Sequence, residues 1–365
     1  MRDIADGIGG WLADGARFAV ATVVGTWKSA PRGPGAAMAV SEDGEALGSV
    51  SGGCVEASVY ELAREVIESG VPALTTYGVS DDAAFEAGLT CGGIIEVFVR
   101  PAGGGHHPYL AGVLDALRET RPVAVASLVS GDPPPERDMV VTPDDSHGSL
   151  GDDRLDAAVA ERARGLLARG TSAVVHIGPH GEQRADGVGV FVQSFAPPPR
   201  LLVFGAIDFA GAVARLGRFL GYRVTVCDAR PVFATKARFP GADELVVDWP
   251  HRYLAGTQVD ANTVICVLTH DPKFDVPLLQ EALRTPARYI GAMGSRRTHD
   301  DRLRRLREEG VPEADLARVA SPIGLDLGAR TPEETAVAIM AEVISLNWGG
   351  SGRRLADTTP LPIHH

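Results

Sequence analysis

The sequence predicts an α/β protein of two domains: a mixed α/β N-terminal half built from an internal repeat, and a C-terminal doubly wound parallel sheet. Three observations carry this reading. Residue patterns recur in the first half when position 48 is laid over position 148, near-continuous apolar strands alternate with helices in the second half, and Pro197-Pro198-Pro199 stands between the two. A chain of 365 residues has room for two or three domains at roughly 100–200 residues each. The prolines stiffen a short linker, so the expected domains are 1–196, with copies at about 15–101 and 120–195, and 200–347, followed by a tail over 348–365.

The repeat is read residue by residue. Gly48-Ser49-Val50 faces Gly148-Ser149-Leu150, and Ala57, Val59, Glu61, Ala63, Arg64 and Gly70 face the same types at 157, 159, 161, 163, 164 and 170. Upstream, Ala19–Val24 resembles Ala124–Val129, and downstream Val97-Phe98-Val99 recurs as Val190-Phe191-Val192. Each copy reads strand, strand, helix, strand, strand. Chance similarity between two Ala-rich helices does not account for matches on both sides of the helix.

Behind the prolines, Leu201–Phe204 reads as a strand, Phe209–Leu220 as a helix and Arg223–Cys227 as a second strand. Further strands are expected at Glu244–Val247, Thr263–Leu268 and Ala287–Ile290, and helices at Pro277–Leu283, Arg296–Arg307 and from Pro332 to about Leu346. Apolar strands alternating with helices imply a parallel sheet covered on both faces.

Composition excludes several classes. With 45% apolar and 22% charged residues the chain is an ordinary packed protein. Its net charge of −12 disfavours nonspecific nucleic-acid binding, which needs clustered Lys and Arg. No apolar run approaches the ~18 residues of a membrane span, and the acidic start Met1–Asp6 is unlike a signal peptide. Four cysteines, at 54, 91, 227 and 266, are too few for a disulfide scaffold, and a reducing cytoplasm fits them best. Their spacing does not match the C-x4-C-x2-C…C pattern of a plant-type two-iron cluster, and without an H-E-x-x-H helix, an EF-hand loop or a C-x2-C pair a dedicated metal site is not indicated. The pairs His106-His107 and His364-His365 read as a linker and a tail.

The residues that could carry chemistry lie at turns. Ser51-Gly52-Gly53-Cys54 joins a strand to a helix starting near Cys54. Glycines there permit a tight turn and leave N–H groups to face an anion, while the helix dipole favours a thiolate. Ser51 would cap the helix, and Glu56 falls in its first turn, where negative charge is tolerated. The alternative is a small cysteine filling a tight turn. Copy two carries Gly151-Asp152-Asp153-Arg154 instead, and a purely structural turn would be expected in both. Cys91-Gly92-Gly93 is a second cysteine beside paired glycines, and the two thiols together would suit a sulfur species or a metal–dithiolene; on its own this triplet also reads as a β-bulge or loop entry. Arg32, on the loop Ser29–Gly35, could contact a phosphate or simply be exposed.

In the second half, the dinucleotide fingerprint G-x-G-x-x-G/A would fall on Gly205, Ile207 and Ala210. Ile207 obstructs the close approach that a glycine would allow, while Asp228 is placed for a ribose hydroxyl. The turn thus specifies a Rossmann-like fold and disfavours NAD(P). His270 and Asp271 follow the strand Thr263–Leu268, at the sheet edge where such folds bind ligands; Asp271 with Asp275 could hold a cation or hydroxyl, or Asp271 could merely cap a helix opened by Pro272. Gly291, Gly294 and Ser295 form a Gly-rich segment ahead of Arg296-Arg297, readable as a second anion cradle or as a plain strand-to-helix turn.

Together these segments resemble the XdhC/CoxI family, accessory proteins of molybdenum hydroxylases such as xanthine dehydrogenase and carbon monoxide dehydrogenase. The resemblance spans most of the chain and rests on Gly48–Glu56 (GSVSGGCVE), Leu89–Gly93 (LTCGG), Thr269–Asp275, Tyr289–Arg297 (YIGAMGSRR) and Pro322–Thr335 (PIGLDLGARTPEET). It implies a protein that binds molybdenum cofactor, supports its sulfuration by a cysteine desulfurase and hands it to an apo-hydroxylase, with Cys54 and Cys91 as the sites of cofactor or sulfur handling. The cofactor, molybdopterin or its cytosine dinucleotide form, would be cargo: an anionic pterin phosphate with two sulfur donors. Such a protein is more a chaperone than a catalyst, and a homodimer through its N-terminal domains is compatible with it. Ile207-Asp208 departs from the family's glycine-rich turn. The competing readings are an NAD(P)-dependent oxidoreductase or xanthine dehydrogenase subunit, which Ile207 and the missing cluster cysteines disfavour, and a pure scaffold.

Overall fold

A computed structural model describes residues 1–27, 30–78, 93–130, 134–178, 181–184 and 186–357. Two compact units form, Met1–Pro197 and Pro198–Thr358.

In the first unit the elements run α1 (Ala5–Ala13), β1 (Phe18–Trp27), β2 (Ala37–Ser41), β3 (Ala46–Gly48), α2 (Glu56–Ser69), β4 (Ala73–Tyr77) and β5 (Ile94–Ala102). They then repeat as α3 (Leu110–Arg118), β6 (Val123–Leu128), β7 (Asp138–Val141), β8 (Ser146–Gly148), α4 (Asp153–Arg169), β9 (Ala173–Ile177) and β10 (Val188–Phe195). Two antiparallel sheets result, ordered β3-β2-β1-β5-β4 and β8-β7-β6-β10-β9, so the internal repeat is a repeat of topology. Matching contacts recur: Arg64 donates to the Glu42 carbonyl at 2.9 Å and Arg164 to the Thr142 carbonyl at 3.3 Å. Gly48 and Gly148 both have positive φ, and a Cβ would strike the carbonyl oxygen of Ala37 or Asp138 respectively. These are the glycines the scaffold itself requires.

Each copy also has a leading helix and a short third strand that the sequence pattern did not predict. Helix α1 carries Gly7, Gly9 and Gly10, each unfavourable in a helix; burial of Ala5 and Ile8 against Phe18, Leu110 and Leu114 overrides propensity.

Alternation along each strand builds four layers. Ala19, Ala21, Val23, Val97 and Val99 face α2 through Val59, Ala63 and Val66. Ala124, Ala126, Val190 and Val192 face α4 through Val159, Ala163 and Leu167. The opposite faces meet one another, with Phe18 and Val20 near Val123, Val125 and Phe195, and Val24 and Phe98 near Val129 and Phe191. Thus α2 and α4 lie on opposite outer layers.

A buried charge cluster crosses that sheet–sheet contact. Arg100 of β5 donates to Asp138 of β7 at 2.6 Å and to the Ser127 hydroxyl at 3.0 Å, and its other terminal nitrogen lies 2.8 Å from His107 Nε2. His107 Nδ1 stands 3.0 Å from Asp138, close enough for attraction although not aligned as a hydrogen bond. Partial loss of water pushes Asp138 upward, but Arg100 and His107 overcome this and hold its carboxyl below the usual carboxylate range. Burial and the Arg100 charge lower the His107 pKa. The linker reading of His107 is therefore corrected: it is buried at φ +52 in the contact between copies.

The second unit runs β11 (Arg200–Phe204), α5 (Asp208–Phe219), β12 (Arg223–Cys227), β13 (Glu244–Val246), α6 (Pro250–Gly256), β14 (Val264–Val267), α7 (Pro272–Leu283), β15 (Tyr289–Ala292), α8 (Arg296–Glu308), α9 (Glu313–Leu316), β16 (Val319–Ala320) and α10 (Pro332–Trp348). Its six parallel strands are ordered β13-β12-β11-β14-β15-β16, the Rossmann order with its switch point between β11 and β14. Helices α5 and α10 cover one face, while α6 to α9 cover the other.

Candidate functional site

The turn between β3 and α2 is organised around one carboxylate. Helix α2 begins at Glu56, two residues later than expected, and its N-cap Val55 offers no side-chain cap. Glu56 folds back over the turn instead. One oxygen accepts the Ser49 hydroxyl at 2.5 Å and the N–H groups of Val50, Ser51 and Gly52 at 3.2, 2.9 and 3.0 Å. The other accepts the Ser51 hydroxyl at 2.6 Å and the N–H groups of Gly53 and Val55 at 2.8 and 3.2 Å. Ser51 Oγ in turn accepts from Cys54 and Val55 at 3.0 and 3.2 Å. Ser51 is buried beneath the turn, and Gly52, Gly53 and Cys54 are exposed.

This corrects the expectation that the Gly52 and Gly53 N–H groups stand ready for an anion, because Glu56 already occupies them. Gly52 and Gly53 hold φ of +87 and +124, and a Cβ on either would enter open space. They are glycines for backbone conformation at an open surface, unlike Gly48. Copy two keeps a reduced version, in which Asp156 reaches only the Leu150 N–H, at 2.7 Å, and Asp152 caps α4.

Although partial burial pushes the Glu56 carboxyl upward, the Ser49 and Ser51 hydroxyls and the turn's N–H groups bring it down from 4.5 to about 2. A carboxyl depressed in the folded state stabilises above its unfolded pKa and loses that contribution as pH falls toward the folded value. The stability gap between the wild type and Glu56→Gln is thus expected to be constant above pH ~5 and to close between pH ~5 and ~2, by about 1–2 kcal/mol after discounting for solvent screening. Urea unfolding at pH 6 and pH 3 measures it, and a gap that is equal at both contradicts the assignment.

Arg32 does not stand on a free loop. It donates to the Ser49 carbonyl at 2.9 Å and lies 3.6 Å from Asp3, bracing the turn from outside. Cys91 and Gly92 lie outside the described residues, so the expected pairing of Cys54 with Cys91 does too; Gly93 is buried immediately before β5. Of the three described cysteines, Cys54 is exposed, whereas Cys227 and Cys266 are buried in the second unit with thiols pushed up to about 12 by loss of water.

In the second unit most of the expected ligand residues are engaged internally. Gly205 turns the chain at φ +109 after β11, as the fold requires. Asp228, expected to face a ribose hydroxyl, is engaged within the chain: its oxygens take the Ala206 N–H at 2.7 Å and the backbone N–H, Nε and Nη2 of Arg230, each at 2.9 Å. Burial raises its carboxyl, but these donors outweigh that and hold it low. A cavity of about 230 Å³ borders Ile207, Asp208 and Gly211 at the start of α5. Asp271 caps α7 and pairs with Lys273 at 2.9 Å. Asp275 is buried and paired with Arg302 at 2.8 Å, so the two aspartates do not form the open acidic pair that their spacing allowed. His270 is exposed at the sheet edge. Gly291 lies inside β15, where a Cβ would meet Ile323 and Tyr289; it is a packing glycine, not part of a cradle. Gly294 precedes Ser295, which caps α8 by accepting the Thr298 N–H at 3.2 Å.

Among the described residues no group of three metal-ligating side chains assembles, and no helix is long and apolar enough to cross a membrane. Sequence reasoning missed the Glu56 lock and the Arg302–Asp275 and Arg230–Asp228 clasps. A signal for the first was present in Asp156, which repeats the acid at the same position of copy two.

A duplicated two-sheet scaffold with a thiol-bearing turn in one copy, joined to a Rossmann domain, defines a two-domain protein with a specialised N-terminal half. The pattern that describes the XdhC and CoxI family matches residues 11–78 and 116–178, and that of the XdhC Rossmann domain matches 201–343; the chain belongs to this family. It is 30% identical, over 91% of its length and 94% of the relative's, to a probable xanthine dehydrogenase subunit of Bacillus subtilis (strain 168). It is 28% identical, over 92% of its length and 85% of the relative's, to the molybdenum cofactor insertion chaperone PaoD of Escherichia coli (strain K12). The crystal structure of a xanthine dehydrogenase from Bacillus halodurans superposes with a TM-score of 0.71 at 26% identity, covering 97% of this chain and 98% of that one.

Proposed function

We propose that the protein binds molybdenum cofactor as cargo, supports its sulfuration by a cysteine desulfurase and inserts it into an apo-molybdenum hydroxylase of the xanthine dehydrogenase type. The observation that carries this reading is the exposed Cys54 on a turn that the scaffold keeps in one copy and replaces in the other. A soft sulfur donor at an open surface suits the metal–dithiolene end of the cargo. The likeness to PaoD supports the insertion role, and the likeness to a component of xanthine dehydrogenase supports the kind of acceptor. Hydride transfer through a nicotinamide is the poorer reading, since Asp228 is clasped by Arg230 and Ile207 fills the position a glycine would hold.

Purification from cells that make molybdopterin is expected to bring down bound pterin, visible as fluorescence after acid oxidation. A preparation without pterin fluorescence, yet binding NADH at micromolar concentration, overturns the proposal.

A further inference from the structure

The turn that bears Cys54 is saturated from within. Every backbone N–H from Val50 to Val55 donates to an oxygen of Ser49, Ser51 or Glu56. Three of these residues, Gly52 to Cys54, are exposed, so the donors lie at the surface but are spoken for. The Arg32 guanidinium beside them is turned to the Ser49 carbonyl and Asp3. Successive N–H groups around a tight turn make an anion-binding concavity, and here the anion is part of the chain.

We infer that Glu56 is a specificity-determining residue: by filling this concavity with its own carboxylate it excludes the phosphate end of the cargo and leaves the Cys54 sulfur as the group the turn presents. The inference rests on the proposed cargo role and adds which end of the cargo meets the turn. A phosphate approaching Gly52 and Gly53 meets a negative charge and no available backbone donor. Removing the Glu56 charge while keeping its shape frees several donors and removes the repulsion, turning the same loop into one that accepts anions.

The test compares alkylation of Cys54 by iodoacetate, an anion, and iodoacetamide, its neutral counterpart, followed by mass spectrometry of the peptide. In Glu56→Gln the ratio of the anionic to the neutral rate is expected to rise about threefold or more at low ionic strength, and inorganic phosphate slows alkylation of the variant. In the wild type, phosphate leaves the iodoacetamide rate unchanged. A structural role alone would move both reagents together and leave their ratio where it was. An unchanged ratio in Glu56→Gln overturns the inference, as does protection of wild-type Cys54 by phosphate, an arm that needs no variant. Pterin retention by the wild type reports separately on the cargo role and moves neither ratio.

Discussion

Cys54→Ala is expected to reduce hydroxylase activation to the level seen without the protein, while the thermal midpoint moves by no more than about 1–2 °C. The two halves of this expectation have different origins. Cys54 is exposed, and surface substitutions stay within roughly 0.5 kcal/mol. The turn around it is held by Glu56, Ser49 and Ser51, none of which the substitution touches. Loss of activity therefore isolates the sulfur from the fold. The measurement is reconstitution of an apo-hydroxylase with molybdopterin and the purified variant, beside a melting curve. Full activation by Cys54→Ala removes the thiol from the function, and a large drop in the melting midpoint removes the argument that the cysteine is dispensable to the scaffold.

Arg100→Met is expected to destabilise the N-terminal unit by about 3–5 kcal/mol, because removing one member of a buried ion pair strands the other. Side-chain exposure of both Arg100 and Asp138 is 8%, so water cannot replace the lost guanidinium. Asp138 would keep its bond to the Ser127 hydroxyl at 2.5 Å but lose its balancing charge. A shift of roughly 10 °C in the first unfolding transition follows for a unit of this size. The double substitution Arg100→Met with Asp138→Leu should recover part of the loss, since no charge is stranded while the Ser127 hydroxyl and the His107 ring lose their partners. A double variant no more stable than the single one would place the cost in packing and not in charge. The matching residue of copy two, Gln193, donates to the Gly35 carbonyl at 3.2 Å, a neutral bond whose removal should cost far less.

How much of this was visible in the amino-acid order depends on the range of the interaction. The repeat and the Rossmann domain were legible because both rest on local periodicity and on turn residues at fixed spacing. The lead helix α1 was hidden by its glycines, which only the packing of Ile8 makes tolerable. The strand expected at Ala287–Ile290 forms at Tyr289–Ala292, and that shift moves Gly291 from a turn into the sheet. Identity matching between copies passed over Glu56 and Asp156 because glutamate and aspartate are different letters, although both reach back to the same backbone position. Arg100 and Asp138 are 38 positions apart on strands of different sheets, and no spacing rule brings them together.

The placement of α2 and α4 on opposite outer layers puts the two equivalent turns apart, which bears on stoichiometry for the proposed role. Only one of the two equivalent turns carries a sulfur, and the other carries Asp152, Asp153 and Arg154, so under the proposed role a single chain is expected to offer one berth. Loading should saturate at one molecule per polypeptide whatever the excess offered.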